Sequence, residues 1–384
     1  NEDPVIRTFL PSTWLAARRR TMLVMYKAQN QEHVETLAVA RYNVGDHFKK
    51  AWDPESEPNQ WKRLIDLIKE RNPKTIGINI SNDFGHADGL NHTEYELLMD
   101  HLPKAYHNKI VSAEDLAVGW LETRTASEMA TYKHIQTLAH DIIQEGLSEK
   151  VITTGVTSTD DVRWWYRDRI KDLGLETWFH PTVDIQRASP ESNEHLRTFD
   201  KQPDSGIIHP GDVLHIDFGI TYLRLNTDTQ QLAYVLKPDE KEVPQYLKEA
   251  LAIGNRLQDI LTSNFKTGRT GNEILKAART QMKAENINGT IYTHPMGYHG
   301  HAAGPTIGMW DNQGEVPGSG NYPLYPNTVY AIELNAEVYL DEWQKPFRVM
   351  LEEGAQYNGE KVIYLNGRQK EFLSIPRKQS YLKN

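Results

Sequence analysis

The chain of 384 residues contains no cysteine. This absence excludes disulfide bonds, thiolate zinc sites, iron–sulfur clusters and a cysteine nucleophile. Long apolar runs are missing too, because a stretch such as residues 21–26 is far shorter than the roughly 20 residues that span a bilayer. Positive charge is scarce, with 43 Lys and Arg against 52 Asp and Glu and a net charge of −9. This balance argues against nucleic-acid binding, which needs concentrated Lys and Arg.

The remaining composition is that of an ordinary folded protein, with 39% hydrophobic and 25% charged residues. The length predicts about two domains. Without cysteine, the side chains available for metal binding or acid–base catalysis are Asp, Glu and the 15 His. The chain begins at Asn1 without an apolar leader, so we expect a removed signal peptide or a trimmed start. Both a cytoplasmic and an exported protein fit these features.

The two predicted domains differ in their patterns. In the first part, residues 75–80 alternate apolar and other side chains like a strand, and residues 61–70 have an apolar face like a helix. The second part opens with Thr125-Ala-Ser-Glu128, which has the form of a capping box at a helix start. Further helices are predicted over 244–261 and 271–284, and strands over 213–219, 231–236 and 329–334. Because strands and helices do not alternate in βαβ units here, we predict an α+β fold for the second part.

Two aspartates stand out in the 213–236 region. Asp217 lies in an apolar strand pattern, where a charge is costly unless it is paired or bound to a cation. Asp228 follows eleven residues later, a spacing that suits two antiparallel strands joined by a short turn. This arrangement could bring both carboxylates to one point, although solvated carboxylates at a turn explain the spacing equally well.

Two further elements carry residues of the same kind. His294, His299 and His301 lie in one short segment, in which small residues surround His301. Glu333 and Glu352 lie in or at the end of apolar strand patterns. Each element alone has an ordinary explanation as a surface loop or a salt bridge. Together, four carboxylates and an imidazole can hold two divalent cations, and Mn²⁺, Co²⁺ or Zn²⁺ suits that donor set.

The order of these residues resembles that of the pita-bread metallopeptidases, the family of methionine aminopeptidase, aminopeptidase P and prolidase. Its motifs are Asp-Phe-Gly with a second Asp eleven residues later, Gly-His-x-x-Gly, and two Glu-bearing strands. In this sequence they correspond to Asp217-Phe218-Gly219 with Asp228, Gly300-His301-Ala302-Ala303-Gly304, Ile332-Glu333 and Met350-Leu351-Glu352-Glu353. The resemblance covers roughly residues 112–384. Residues 1–122 resemble the N-terminal domain of the aminopeptidase P, prolidase and creatinase branch.

The resemblance implies a pita-bread catalytic domain over 123–384 and a smaller creatinase-type α/β domain over 1–122. It also implies an exopeptidase that cleaves the N-terminal X-Pro bond of short peptides with a metal-bridging hydroxide. The two divalent ions (Mn, Co or Zn) would be held by Asp217, Asp228, His301, Glu333 and Glu352. Glu333 is also expected to act as the general base. A homodimer is expected by analogy, and no nucleic-acid or membrane partner is expected.

The sequence departs from the family at the assisting histidines. In these peptidases a second His follows the metal His by seven residues, and here residue 308 is Gly. His294 is the preferred assisting His before the ligand, with His299 as its competitor, and His195 is a loose match for a third upstream His. Two alternatives stay open: a hydrolase of a non-peptide C–N bond, like creatinase, and a non-catalytic peptide-binding descendant. Retention of all five ligand-type residues argues against both.

Overall fold

The structure is a computed structural model that describes residue 3, residues 5–6, residues 20–188 and residues 206–377. The predicted candidate His195 lies outside these residues. The chain divides into two compact units, Asn1–Leu121 and Glu122–Asn384. Within the described ranges, no helix is long and apolar enough to cross a membrane.

In its described residues, the first unit has two small sheets and several helices. Its strands are β1 (Met22–Lys27), β2 (Val34–Val39), β3 (Lys49–Lys50), β4 (Ile76–Ile78) and β5 (Ile110–Ser112), and its helices are α1 (Gln60–Arg71), α2 (His92–His101) and α3 (Glu114–Glu122). β1 and β2 are antiparallel, whereas β2–β3 and β4–β5 are parallel pairs. The apolar face of α1 packs Leu67 against Leu37 and Val39 of β2. The helix predicted over 61–70 is therefore confirmed.

The second unit is built on one large sheet. The strands of this unit are β6 (Thr182–Gln186), β7 (Val213–Phe218), β8 (Thr221–Tyr222), β9 (Leu225–Asn226), β10 (Thr229–Val235), β11 (Asn288–Ile291), β12 (His294–Met296), β13 (Thr328–Leu340), β14 (Lys345–Tyr357), β15 (Val362–Tyr364) and β16 (Leu373–Ile375). Of these, β8 and β9 form a separate two-stranded sheet. The strand order is β11-β13-β14-β10-β7-β6, with β12 on β13, β15 on β14 and β16 on β10. Every pair in this sheet is antiparallel except β10–β16, which agrees with the predicted α+β class.

In the described part of this unit, four α-helices cover the sheet, and their ends follow the sequence signals. They are α4 (Ala126–Gly146), α5 (Thr159–Asp172), α6 (Gln245–Ser263) and α7 (Gly271–Ala284). The predicted capping box starts α4: the Glu128 amide donates to Thr125 Oγ1 at 3.3 Å, and the Thr125 amide donates to Glu128 Oε2 at 2.7 Å. Helices α6 and α7 bury leucines and isoleucines against β13 and β14. Helices α4 and α5 bury a second core against β7 and β10.

The predicted pairing of the two aspartate-bearing segments is also present. β7 and β10 are antiparallel neighbours, and the small hairpin β8–β9 projects between them. Leu223 and Arg224 form the tip of this hairpin with left-handed φ angles of 48° and 68°. Both angles are positive, as in the tight two-residue turns that match the twist of their strands.

Candidate metal centre

Acidic side chains from several strands lie in a row on one face of the large sheet. Asp217 of β7 is paired with Gln230 of β10. Gln230 is also paired with Glu352 of β14, which in turn faces Glu333 of β13. Directly opposed residues of antiparallel strands point to the same face. Asp228 lies two residues before Gln230, so the alternation of the strand turns it to this face as well.

Strand β12 brings a histidine to these carboxylates. The Nε2 atom of His294 lies 3.6 Å from Asp228 Oδ2, 3.5 Å from Glu352 Oε1 and 4.0 Å from Glu333 Oε2. Its Nδ1 lies 3.1 Å from the carbonyl oxygen of Pro295. If Nδ1 carries the proton and donates to that carbonyl, Nε2 presents its lone pair to the carboxylates, as a metal-ligating histidine does.

The donor atoms meet the requirements of a divalent cation. Among the described residues, three groups of side chains have ligand atoms within 4.8 Å of one another: Asp228, His294 and His301; His294, Glu333 and Glu352; Asp217, Asp228 and Glu352. Several buried atoms of this set have no hydrogen-bond partner among the described residues: Asp217 Oδ1, Asp228 Oδ1, Glu352 Oε1 and His294 Nε2. Buried polar atoms are normally paired, so unpaired ligand-type atoms that converge on one point fit a bound metal. Oxygen ligands with an imidazole nitrogen suit Mn²⁺, Co²⁺ or Zn²⁺.

The pKa values of the cluster residues also fit a bound cation. Burial raises the pKa of Asp217 to about 7 and that of Glu333 to about 8. Burial and the neighbouring carboxylates also raise the pKa values of Asp228 and Glu352 well above their ordinary range. Burial lowers the pKa of His294 to about 3, which keeps the imidazole neutral. A neutral imidazole is the ligand form, and a cation would offset the repulsion among the carboxylates.

The other predicted histidines lie around this centre. His301 is exposed, with its ring centroid 4.4 Å from that of His294 and 5.2 Å from that of Trp178. His299 is partly buried in the same loop, where its carbonyl accepts from the Gly297 amide at 3.0 Å. His299 belongs to none of the three ligand groups found in the described chain. Thus His294 lies at the centre of the cluster and His301 at its rim.

Sequence reasoning missed two residues that contact the cluster. Gln230 donates from Nε2 to Glu333 Oε1 at 2.8 Å, and its Oε1 lies 2.9 Å from His215 Nε2. Its position two residues after Asp228, on the same face of a strand, is the signal that could have identified it. Tyr292 lies beside His294, with ring centroids 5.4 Å apart. Burial, with the charge of Glu333 next, raises the pKa of Tyr292.

A clamp joins the two segments that carry Asp228 and His294. The Tyr132 hydroxyl on α4 donates to the carbonyl oxygens of Asn226 at 3.0 Å and Gly297 at 3.3 Å. The Asn226 side-chain amide donates to the same Gly297 oxygen at 3.1 Å. Because each partner lies within three residues of a cluster residue, the clamp fixes how the two segments approach each other.

The face of the sheet opposite the cluster has a polar support. Glu353, next to Glu352, points to that face and is fully buried. Its carboxylate lies 2.7 Å from His140 Nε2 and accepts from the Gln231 side chain at 3.1 Å and the Gln369 amide at 3.0 Å. These contacts satisfy Glu353 and hold β14 in place behind the cluster.

Comparisons with known proteins agree with the fold. The sequence profile of metallopeptidase family M24 matches residues 130–362. An X-Pro aminopeptidase from Thermotoga maritima MSB8 is similar in structure, with a TM-score of 0.58, 18% identity, and coverage of 85% of this chain and 82% of that one. A dipeptidase from Pyrococcus horikoshii OT3 has a TM-score of 0.58 and 16% identity over 93% and 89% of the chains. An Xaa-Pro dipeptidase from Bacillus anthracis has a TM-score of 0.57 and 16% identity over 97% and 93%.

At these identities the likeness concerns the fold, and it confirms the predicted pita-bread architecture. A search of curated protein sequences gives no significant match. The family match covers more than half of the chain and includes every described residue of the cluster.

Proposed function

The chain belongs to metallopeptidase family M24, and on this premise we propose that it is an exopeptidase that uses two divalent metal ions to cleave N-terminal X-Pro bonds. The observation that carries the proposal is the convergence of four carboxylates and a neutral histidine on one face of the sheet. The proposed ligands are Asp217, Asp228, His294, Glu333 and Glu352. Mn²⁺, Co²⁺ or Zn²⁺ bound there would activate a water molecule and polarise the peptide carbonyl.

Two carboxylates have separate proposed roles. Glu333 is the general base that takes a proton from the attacking water, since Gln230 holds one of its oxygens at 2.8 Å and the other remains directed to the cluster. Asp228 is proposed to lie near the amino terminus of the bound peptide. A negative group there favours the positively charged amine of the substrate.

The proposed histidine roles differ from the sequence-based expectation, which took His301 as the ligand and His294 as the assisting residue. His294 is 3% exposed and faces three carboxylates, whereas His301 is exposed. His301 also follows His294 by seven residues, the family spacing for a histidine that assists the transition state. With His294 as the ligand, that position is His301, and the apparent loss at Gly308 disappears. His299 and His195 have no role in this proposal.

The proline preference rests on two supports. Two of the similar structures are an X-Pro aminopeptidase and an Xaa-Pro dipeptidase. In addition, Trp178, Tyr292 and His301 place three rings beside the cluster, with Trp178 and Tyr292 5.2 Å and 5.9 Å from His301. Aromatic faces provide a flat apolar wall that suits a proline ring. We further propose a creatinase-type N-terminal domain over residues 1–122, and a homodimer by analogy.

A small peptide panel tests the proposal. Protein stripped with a chelator and reloaded with Mn²⁺, Co²⁺ or Zn²⁺ is assayed on Ala-Pro, Ala-Pro-Ala, Ala-Ala and Ala-Ala-Ala. We expect hydrolysis of the proline peptides only, loss of activity on chelation and recovery on reloading. The ratio of Ala-Pro to Ala-Pro-Ala turnover distinguishes a dipeptidase from an aminopeptidase. Fully metal-loaded protein that hydrolyses neither proline peptide would contradict the proposal.

A further inference from the structure

Tyr292 lies in the link between β11 and β12, beside the row of acidic residues. Its backbone N–H donates to the carbonyl oxygen of Glu333 at 3.1 Å. The residues flanking the link, Ile291 and His294, are both paired with β13. The backbone of Tyr292 is thus anchored on both sides, so its side chain is held next to the proposed ligands.

The ring of Tyr292 completes a triangle with two histidines. Its centroid lies 5.4 Å from that of His294 and 5.9 Å from that of His301, and the two histidine centroids are 4.4 Å apart. The side chain is partly buried. Among the described residues, none is hydrogen-bonded to its hydroxyl. The phenol is therefore held by its backbone and ring contacts, and its O–H is available to a substrate.

The cluster is rich in acceptors and poor in donors. Its four carboxylates can only accept when ionised, and the Gln230 amide already donates to Glu333 at 2.8 Å. Peptide hydrolysis develops negative charge on the former carbonyl oxygen, and a preorganised donor aimed at that oxygen stabilises the transition state. A phenol, with an ordinary pKa of about 10, carries its proton at neutral pH.

We propose that the Tyr292 hydroxyl is a further catalytic group, which donates a hydrogen bond to the scissile carbonyl oxygen as that oxygen becomes an oxyanion. This inference rests on the proposed peptidase function. Water gives a proton to Glu333 and adds its oxygen to the carbonyl carbon, the C–N bond breaks, and the leaving nitrogen takes that proton from Glu333. The O–H bond of Tyr292 stays intact throughout, so the residue acts as a donor and not as an acid.

The Tyr292→Phe variant removes only the hydroxyl and keeps the ring. On Ala-Pro we expect kcat to fall about 100-fold, the size found for loss of one oxyanion donor, with KM changed less than about two-fold. The metal content should stay the same by elemental analysis. Tyr339→Phe is the matched control, because Tyr339 is 58% exposed and belongs to β13 itself. It should retain wild-type kcat.

A binding measurement tests the same hydrogen bond without turnover. The probe is a phosphinic acid analogue of Ala-Pro, whose tetrahedral phosphinate oxygen takes the place of the oxyanion. Calorimetry should show about 100-fold weaker binding to Tyr292→Phe than to the wild type, and unchanged binding of the product proline.

Three outcomes would overturn the inference. Unchanged kcat and phosphinate affinity would show that the hydroxyl makes no such bond. A higher KM with unchanged kcat would make Tyr292 a wall of the substrate pocket, and loss of metal would make it a structural support. Failure of the proposed function looks different: metal-loaded wild-type protein would then hydrolyse neither Ala-Pro nor Ala-Pro-Ala.

Discussion

At the scale of single residues, two histidines seven positions apart have opposite surroundings. His294 is held among three carboxylates, and its Nε2 has no hydrogen-bond partner in the described chain. His301 is exposed and contacts aromatic rings on the outer side of the cluster. A ligand needs the first environment, and a group that meets the substrate needs the second.

We therefore predict different losses for the two alanine variants. His294→Ala should lose most of its metal, and with it all activity, because one ligand of the set is gone. His301→Ala should keep its metal and lose about 10²- to 10⁴-fold in kcat, the range for an assisting acid or base. Elemental analysis of the purified variants, together with kcat on Ala-Pro, measures both effects.

A third histidine gives the control for this pair. The His92 side chain is 82% exposed and lies in the first unit, so His92→Ala should match the wild type in metal and kcat. Equal metal loss in His294→Ala and His301→Ala would show that both are ligands. Metal loss in His301→Ala alone would restore the sequence-based assignment.

The histidine pair also shows which part of the site could not be predicted from the sequence. Asp217 and Glu333 were candidates because each lies in an apolar strand pattern, and the family resemblance grouped them with Asp228 and Glu352 as one ligand set. The histidines lie in a short strand and the loop after it, where no sequence periodicity predicts which way each side chain points. Two overlapping motifs, Gly-His-x-x-Gly at His301 and the seven-residue spacing from His294, compete in that segment. Only the three-dimensional position separates them.

At the scale of elements, the Tyr132 clamp connects α4 to the two segments that carry Asp228 and His294. Tyr166 of α5 provides a natural comparison, because both phenols are fully buried and both donate to a backbone carbonyl. The Tyr166 hydroxyl donates to the Ile143 oxygen at 2.9 Å, within the helical layer. Only the Tyr132 hydroxyl reaches the cluster segments, through Asn226 and Gly297.

This comparison leads to a prediction for the two phenylalanine variants. Tyr132→Phe and Tyr166→Phe should each lower the free energy of unfolding by about 1–3 kcal/mol, since the first leaves two backbone carbonyls and the second leaves one with a partner fewer. Only Tyr132→Phe should also weaken Mn²⁺ binding, by about ten-fold, as expected when an outer support of a metal site is lost. Urea denaturation of metal-free protein and Mn²⁺ titration measure the two effects. Equal Mn²⁺ affinity in both variants would contradict a role for the clamp.

The elements themselves were predictable where local signals were complete. The helix predicted over 271–284 has those bounds in the structure, because its N-cap box and its apolar spacing are both local. The strand predicted over 329–334 instead continues to Leu340. All thirteen residues of β13 pair with β14, a partner that local alternation cannot reveal. By contrast, the strand predicted over 75–80 is shorter in the structure and spans only Ile76–Ile78.

At the scale of the whole molecule, one buried acid makes stability depend on pH. Glu122 is fully buried at the start of the second unit. Burial raises its pKa from an ordinary 4.5 to about 8, and the Tyr322 hydroxyl and the Arg124 guanidinium offset only part of this effect. A carboxyl with a raised pKa keeps its proton in the folded state and loses it in the unfolded state between those two pH values.

The sign of the effect follows from that difference. The folded state binds more protons than the unfolded state between about pH 4.5 and pH 8, so the Glu122 contribution to the free energy of unfolding falls as pH rises. Glu122→Gln, which cannot ionise, should equal the wild type near pH 5 and be more stable by a few kcal/mol near pH 9. Urea denaturation of metal-free protein at pH 5, 7 and 9 measures this. Parallel pH profiles would contradict it.

The general architecture and the arrangement of the cluster differ in how far they could be predicted. Composition and element order indicated an α+β protein, and the resemblance indicated the pita-bread fold, which the similar structures confirm. The row from Asp217 to Glu333 could not be derived from the sequence. It joins β7, β10, β14 and β13, so it depends on pairing between segments more than a hundred residues apart.

The row across four strands has a consequence for how this chain can change its length. Shifting one strand by one residue turns its side chains to the opposite face, so an insertion between Asp217 and Glu352 within any paired segment would turn a side chain away from the cluster. Length can vary only where pairing stops, such as the Leu223–Arg224 tip or residues 341–344 between β13 and β14. In the proposed metal site, a sheet with one shifted strand would lack part of the donor set, so metal binding would report correct strand alignment.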